Sequence, residues 1–133
     1  MNLLLPNLVM PIQFVSMLDQ LIKEKEDGKY VITFSNEKYS KKDGGVQPHL
    51  IAVEKENGHY RLLSLSAFGF YGDEYMQVTH FDFVKKCGFT DRAFSFNFDE
   101  DPFISEALES NTVGLAQKYE SNCFDLPVVR QLN

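Results

Sequence analysis

The sequence has no tryptophan, so an aromatic core has to come from its twelve phenylalanines and six tyrosines. Cysteine is scarce too. Cys87 and Cys123 are too few for a disulfide framework and too far apart for a metal-ligand pair. Free thiols of this kind fit a reducing, cytoplasmic compartment. There is no basic block: Lys41-Lys42 and Lys85-Lys86 are isolated pairs, and the formal net charge is −6. That disfavours nucleic acid and anionic lipid as partners, since both need a basic footprint. No apolar run approaches the length of a membrane span. The opening Met1–Pro6 is apolar but lacks a basic n-region and a small-residue cleavage site. The first ten residues are therefore expected to form a strand or arm on the core. Also missing are a Gly-x-Ser-x-Gly elbow, a P-loop, a dinucleotide fingerprint and a His-Glu-x-x-His pair. No cofactor and no metal are expected.

What is present is globular. The 133 residues, 44% hydrophobic and 14% aromatic, fit one domain spanning 1–133. A chain of this size can bury roughly two-thirds of its unfolded surface, so it folds without a metal or disulfide. Ile12, Val15, Leu18 and Ile22 recur at helical spacing, which predicts a helix from Pro11 to Lys25 stopped by Asp27-Gly28. Strands are predicted at Tyr30–Phe34, on both sides of Asn57-Gly58, at Met76–Val84 and at Phe94–Phe98. Asn-Gly between strand-like runs marks a two-residue hairpin. Its register sets Glu56 against His59, Glu54 against Arg61, Val53 against Leu62 and Leu50 against Leu65. One hairpin face then carries Leu50, Ala52, Leu63 and Leu65, the other Ile51, Val53 and Leu62, so both faces are expected to be covered. Lys86-Cys87-Gly88 closes the strand before it. Asp101 can cap a second helix with Pro102 at its first position. An edge strand, Phe124–Val129, ends the chain. The fold class is α+β: a single antiparallel sheet of about five to six strands, a meander, with an N-terminal and a C-terminal helix packed on it.

Several segments carry a family resemblance. They are Ile32-Thr33-Phe34, Tyr39-Ser40, Asp43-Gly44-Gly45, Pro48-His49-Leu50-Ile51, Phe68-Gly69-Phe70-Tyr71-Gly72 and His80-Phe81-Asp82-Phe83. Together they resemble an uncharacterised bacterial family, a domain of unknown function of similar length, over roughly Pro11 to Val129. After its Gly-Gly that family has an aromatic and then His-Pro, whereas this chain reads Val46-Gln47-Pro48-His49. The resemblance implies a fold and a bacterial cytoplasmic setting, and no activity.

The candidate binding patch comprises Tyr39, Gly44, Gly45, His49, Tyr71, His80 and Asp82. His80 and Asp82 lie on one strand face with Cα atoms about 6.5–7 Å apart, raw material for acid–base work or metal ligation. His49 or His59 could add a third group. Gly44-Gly45 could offer backbone N–H groups to an anion. Tyr39 and the Phe68–Gly72 aromatics suit a contact patch, since tyrosine and phenylalanine favour interface centres. Three functions follow in order. The first is a non-enzymatic interaction domain, with a second copy of the chain (a homodimer) or another protein as partner. The second is a small-ligand binder or enzyme using His80 and Asp82. The third is an acidic decoy of a nucleic-acid-handling protein, built on Asp99-Glu100-Asp101.

Overall fold

The computed structural model describes residues 2–3, 10–91, 94–101 and 103–132. The expected N-terminal arm lies outside them apart from 2–3, as does Pro102. In chain order the elements are β1 (Asn2–Leu3), α1 (Ile12–Ile22), β2 (Gly28–Phe34), β3 (His49–Glu56) and β4 (His59–Tyr71). They continue with β5 (Glu74–Asp82), β6 (Cys87–Thr90), β7 (Phe94–Asn97), α2 (Ile104–Glu120) and β8 (Val128–Leu132).

The class is α+β, as expected, but the sheet is larger. Seven strands run in the order β7-β6-β5-β4-β3-β2-β8, every neighbouring pair antiparallel. β2 to β7 form a meander. The chain then returns through α2 and lays β8 along the far edge, against β2. β1 adds in parallel to the first residues of β4, where β5 does not reach.

The extra strand is β6, read from sequence as the close of β5. Lys86 takes a left-handed conformation (φ 57°) and turns the chain straight back. A lysine there gives no turn signal, because glycine and asparagine are what mark that region. Gly88 is then a position of close approach. A Cβ there would run into the His80 carbonyl and lie 2.9 Å from the Phe96 ring. Phe81 and Phe96 meet across it at 5.2 Å between ring centroids.

The hairpin register holds at Glu56–His59, Glu54–Arg61 and Val53–Leu62. Arg61 donates to Glu54 Oε1 at 2.6 Å. Beyond Val53 a bulge inserts Leu63, so Ile51, not Leu50, faces Leu65, and Leu50 faces Ser66. A one-residue slip exchanges the two faces of a strand. Ile51, Val53, Leu62 and Leu65 therefore share the buried face, while Leu50, Ala52 and Leu63 are half-buried.

One continuous row of cross-strand neighbours holds the sheet: Val129, Ile32, Ile51, Leu65, Phe81, Gly88 and Phe96. Phe14, Met17, Leu18 and Ile22 of α1 and Ile104, Leu108 and Leu115 of α2 complete the same core. Each such side chain contributes about 1.5–3 kcal/mol by leaving water. Because strand residues alternate in direction, sharing one core puts both helices on the same face of the sheet.

Element ends also differ from expectation. Pro11 (φ −60°, ψ 142°) precedes α1 rather than opening it. Asp101 does not cap α2; its Oδ2 accepts the Asn97 N–H at 2.8 Å and tightens the preceding turn. β8 starts at Val128, because 123–125 bind the loop after β2: Asn36 Nδ2 donates to Cys123 O (2.9 Å) and Asp125 N to Ser35 O (2.7 Å).

The end of α1 depends on one buried charge. Lys55, 6% exposed, donates its ammonium to the carbonyls of Ile22 (3.2 Å), Lys23 (2.5 Å) and Lys25. These carbonyls lie at and just beyond the helix C-terminus, where intrahelical donors run out; Ile22 O also accepts the Lys25 N–H at 3.1 Å. Lys55→Met keeps the stem and strands the carbonyls, at a cost of about 2–3 kcal/mol. Urea unfolding should show that loss, while Lys42→Met on an exposed loop should stay within about 0.5 kcal/mol of wild type.

Candidate functional site

The sheet face opposite the helices is built by the other half of each strand. Its central row, read through the register, is Val128, Thr33, Leu50, Ser66, His80 and Phe89. The next row is Arg130, Val31, Ala52, Ser64, Asp82 and Cys87. Among the described residues neither helix packs on this face. Its middle is small and half-buried, and its margin carries Val128 at 62% and Leu132 at 42% exposure.

His80 and Asp82 share this face, as alternation predicts, but each is already occupied. His80 Nδ1 lies 2.8 Å from Ser66 Oγ, which accepts from Gln77 Nε2 at 3.0 Å. Ser66 is 2% exposed and anchors this knot, while Gln77 and His80 are half-buried. Asp82 Oδ1 accepts the N–H groups of Val84 (3.0 Å) and Lys85 (2.9 Å), fixing the turn into β6. His49 sits on the opposite face, in the buried row with Phe34 and Ala67. The sheet therefore separates His49 from His80. Among the described residues no group of three His, Cys, Asp or Glu could hold a metal ion.

His49 is a core histidine. It is 6% exposed, its Nδ1 lies 2.9 Å from the Gln47 carbonyl, and its ring packs edge-on to Phe124 at 6.2 Å. Burial holds its pKa down, to about 4. The Gln47 carbonyl opposes that shift by favouring the charged ring, and the charge of Lys118 reinforces it.

The glycine loop serves its own turn. Ser40 and Gly44 exchange both backbone hydrogen bonds (3.1 and 2.8 Å), so the Gly44 N–H is engaged. Gly45, at φ 111°, holds a backbone conformation that favours glycine, and Tyr39 lies beside it. Tyr39 in turn stacks on Phe70 at 5.8 Å. Phe70 stands edge-on to Tyr75 at 5.4 Å, and Tyr75 stacks on Phe68 at 6.0 Å. A cleft of about 340 Å³ opens here, lined by Tyr39, Pro48, Phe70 and Tyr75 with Glu37 and Asp125 at the rim. Burial, and then the Tyr39 hydroxyl, raise the Tyr75 pKa. Tyr71, 60% exposed, does not line this cleft. Tyr75 was missed as a site residue, yet a signal existed: a turn at Gly72-Asp73 sets Phe70 opposite Tyr75.

No protein-family model matches the chain, and no curated protein does. Solved structures similar to it include two proteins of Vibrio cholerae. One is a conserved hypothetical protein from pathogenicity island VPI-2, described as sharing structural homology with the human P32 protein. It has a TM-score of 0.79 at 21% identity, covering 96% of this chain and 100% of that one. The other is a hypothetical protein from the VSP-II island, with a TM-score of 0.79 at 14% identity over 96% of this chain and 99% of that one. At such identities the likeness is one of fold.

The depressed His49 pKa gives a signed prediction. The unfolded chain takes up the proton near the ordinary value of 6.5, the folded one near 4. Stability is therefore retained above pH 6.5 and lost as pH falls toward 4, by about 3 kcal/mol in full. Urea midpoints of wild type and His49→Gln across this window should diverge by that pH-dependent amount. The His49 ring resonances should show no titration above about pH 5.

Proposed function

We propose that this chain is a non-enzymatic interaction domain of a bacterial cytoplasm, and that its partner is a second copy of itself. One observation carries the reading: both helices lie on one side of a seven-stranded sheet, and the other side is uncovered among the described residues. Six gaps of about 4.8 Å make that face about 29 Å across, wide enough for a standard interface. Its centre (Thr33, Ala52, Ser64) is small, which lets a second surface approach closely. Around it stand charges of both signs, among them Lys29, Glu54, Arg61 and Arg130. A two-fold interface must complement itself, and a margin of mixed sign can do so. The alternative, catalysis by His80 and Asp82 with His49, finds no support: those groups are divided between the two faces and spent on local hydrogen bonds.

Sedimentation equilibrium at about 10–100 μM is the test. Wild type should run as a dimer. Val31→Arg combined with Val128→Arg, both on the uncovered face, should return it to a monomer with its thermal transition within about 4 °C of wild type. A wild-type monomer at about 100 μM, or a dimer that survives both arginines, would overturn the reading.

A further inference from the structure

The aromatic cleft is a different surface, at the end of the sheet where the loop after β2, the start of β3 and the β4–β5 hairpin meet. We propose that it docks a proline-rich segment in polyproline II conformation, carrying a basic residue at one end. The inference does not rest on self-association, and each stands if the other fails.

The first argument is shape. Consecutive ring centroids along Tyr39, Phe70 and Tyr75, the three rings that line the cleft, are 5.8 and 5.4 Å apart. Two residues of a polyproline II helix rise about 6.2 Å, so one dipeptide advances by one ring. Tyr39 stacks on Phe70 while Tyr75 stands edge-on to it, which leaves ridges rather than a flat wall. Ridges of tyrosine and phenylalanine are what a stiff, hydrogen-bond-free helix packs into at little entropic cost. All its carbonyls are free to accept, and Tyr39 and Tyr75 are among the residues that line the cleft.

The second argument is charge. Glu37 and Asp125 sit at the rim, and no ion pair involves either among the described residues. Of the loop's three lysines, Lys41 pairs with Asp73, and among the described residues neither Lys38 nor Lys42 forms an ion pair with Glu37 or Asp125. The two carboxylates therefore favour a ligand cation at that end, and an exposed ring beside them adds a cation–π contact for arginine. The third argument is preorganisation. The Glu37 N–H donates to Asp125 Oδ2 at 2.8 Å, the Asp125 N–H to Ser35 O at 2.7 Å and Asn36 Nδ2 to Cys123 O at 2.9 Å. These three bonds lock the walls before any ligand arrives, so little ordering remains to oppose binding.

The test is NMR titration of the full chain with four blocked peptides. They are one arginine followed by about six prolines, the prolines alone, one glutamate followed by the same prolines, and one arginine followed by glycine–serine repeats. The arginine–proline peptide should move the amide resonances of Glu37, Tyr39, Phe70 and Tyr75. The prolines alone should bind several-fold more weakly, and the other two peptides more weakly still. Glu37→Gln with Asp125→Asn should reduce the arginine–proline peptide to the level of the prolines alone. Tyr75→Ala, at a half-exposed position, should abolish binding while leaving the amide spectrum of the core unchanged. No shift at the cleft with the arginine–proline peptide would overturn the proposal. So would equal binding of the glutamate or the glycine–serine peptide, since the cleft would then read neither charge nor helix.

Discussion

Phe81 and Phe96 can meet only because Gly88 stands between them without a side chain, and that contact carries the core across to the far edge of the sheet. The row from Val129 to Phe96 crosses all seven strands, and both helices rest on it. From this follows the asymmetry of the molecule. Apolar side chains of the sheet's core row are spent on one face, so the opposite face is left with Thr33, Ser64, Ser66 and Ala52 at its centre. Its polar groups are tied together instead. Ser66, Gln77 and His80 bond to one another, and Asp82 holds the turn beyond.

The uncovered face and the aromatic cleft differ in character. The face is broad, with charges of both signs around it, which is what the proposed self-association needs. The cleft is narrow and aromatic with Glu37 and Asp125 in its lining, which is what the proposed cationic segment needs. Chemistry enters neither argument. Buried His49 stays neutral over the physiological range, with a pKa near 4, and the sheet divides it from His80.

Much of the fold was legible. Asn57-Gly58 fixed the hairpin, and the Glu54–Arg61 pair confirmed its register near the turn. Farther along, the bulge at Leu63 was not legible, because a leucine in a run of Leu and Ser residues gives no sign of being inserted. That single residue moved Leu65 from the face of Leu50 and Ala52, where it was expected, to the face of Ile51 and Val53. Likewise Lys86, at φ 57°, turned the chain without turn chemistry and hid β6. Of the site residues, Tyr39 does join an aromatic patch with Phe70. His49 was read as a partner of His80, and a period-2 pattern cannot by itself say which of two strands faces which way. Lys55 was not singled out at all, since its three acceptors lie at and just past a helix end 30 to 33 residues earlier in the chain.

The central claim is that a second copy covers the helix-free face. Mixing isotope-labelled protein with unlabelled protein bearing a spin label tests it directly. The label is attached to Cys87, on that face, with Cys123 replaced by serine. Transfer between copies should broaden the resonances of Val31, Thr33, Leu50 and Ser66 and spare those of α1 and α2. Broadening concentrated on the helices, or none at about 100 μM, would contradict the account.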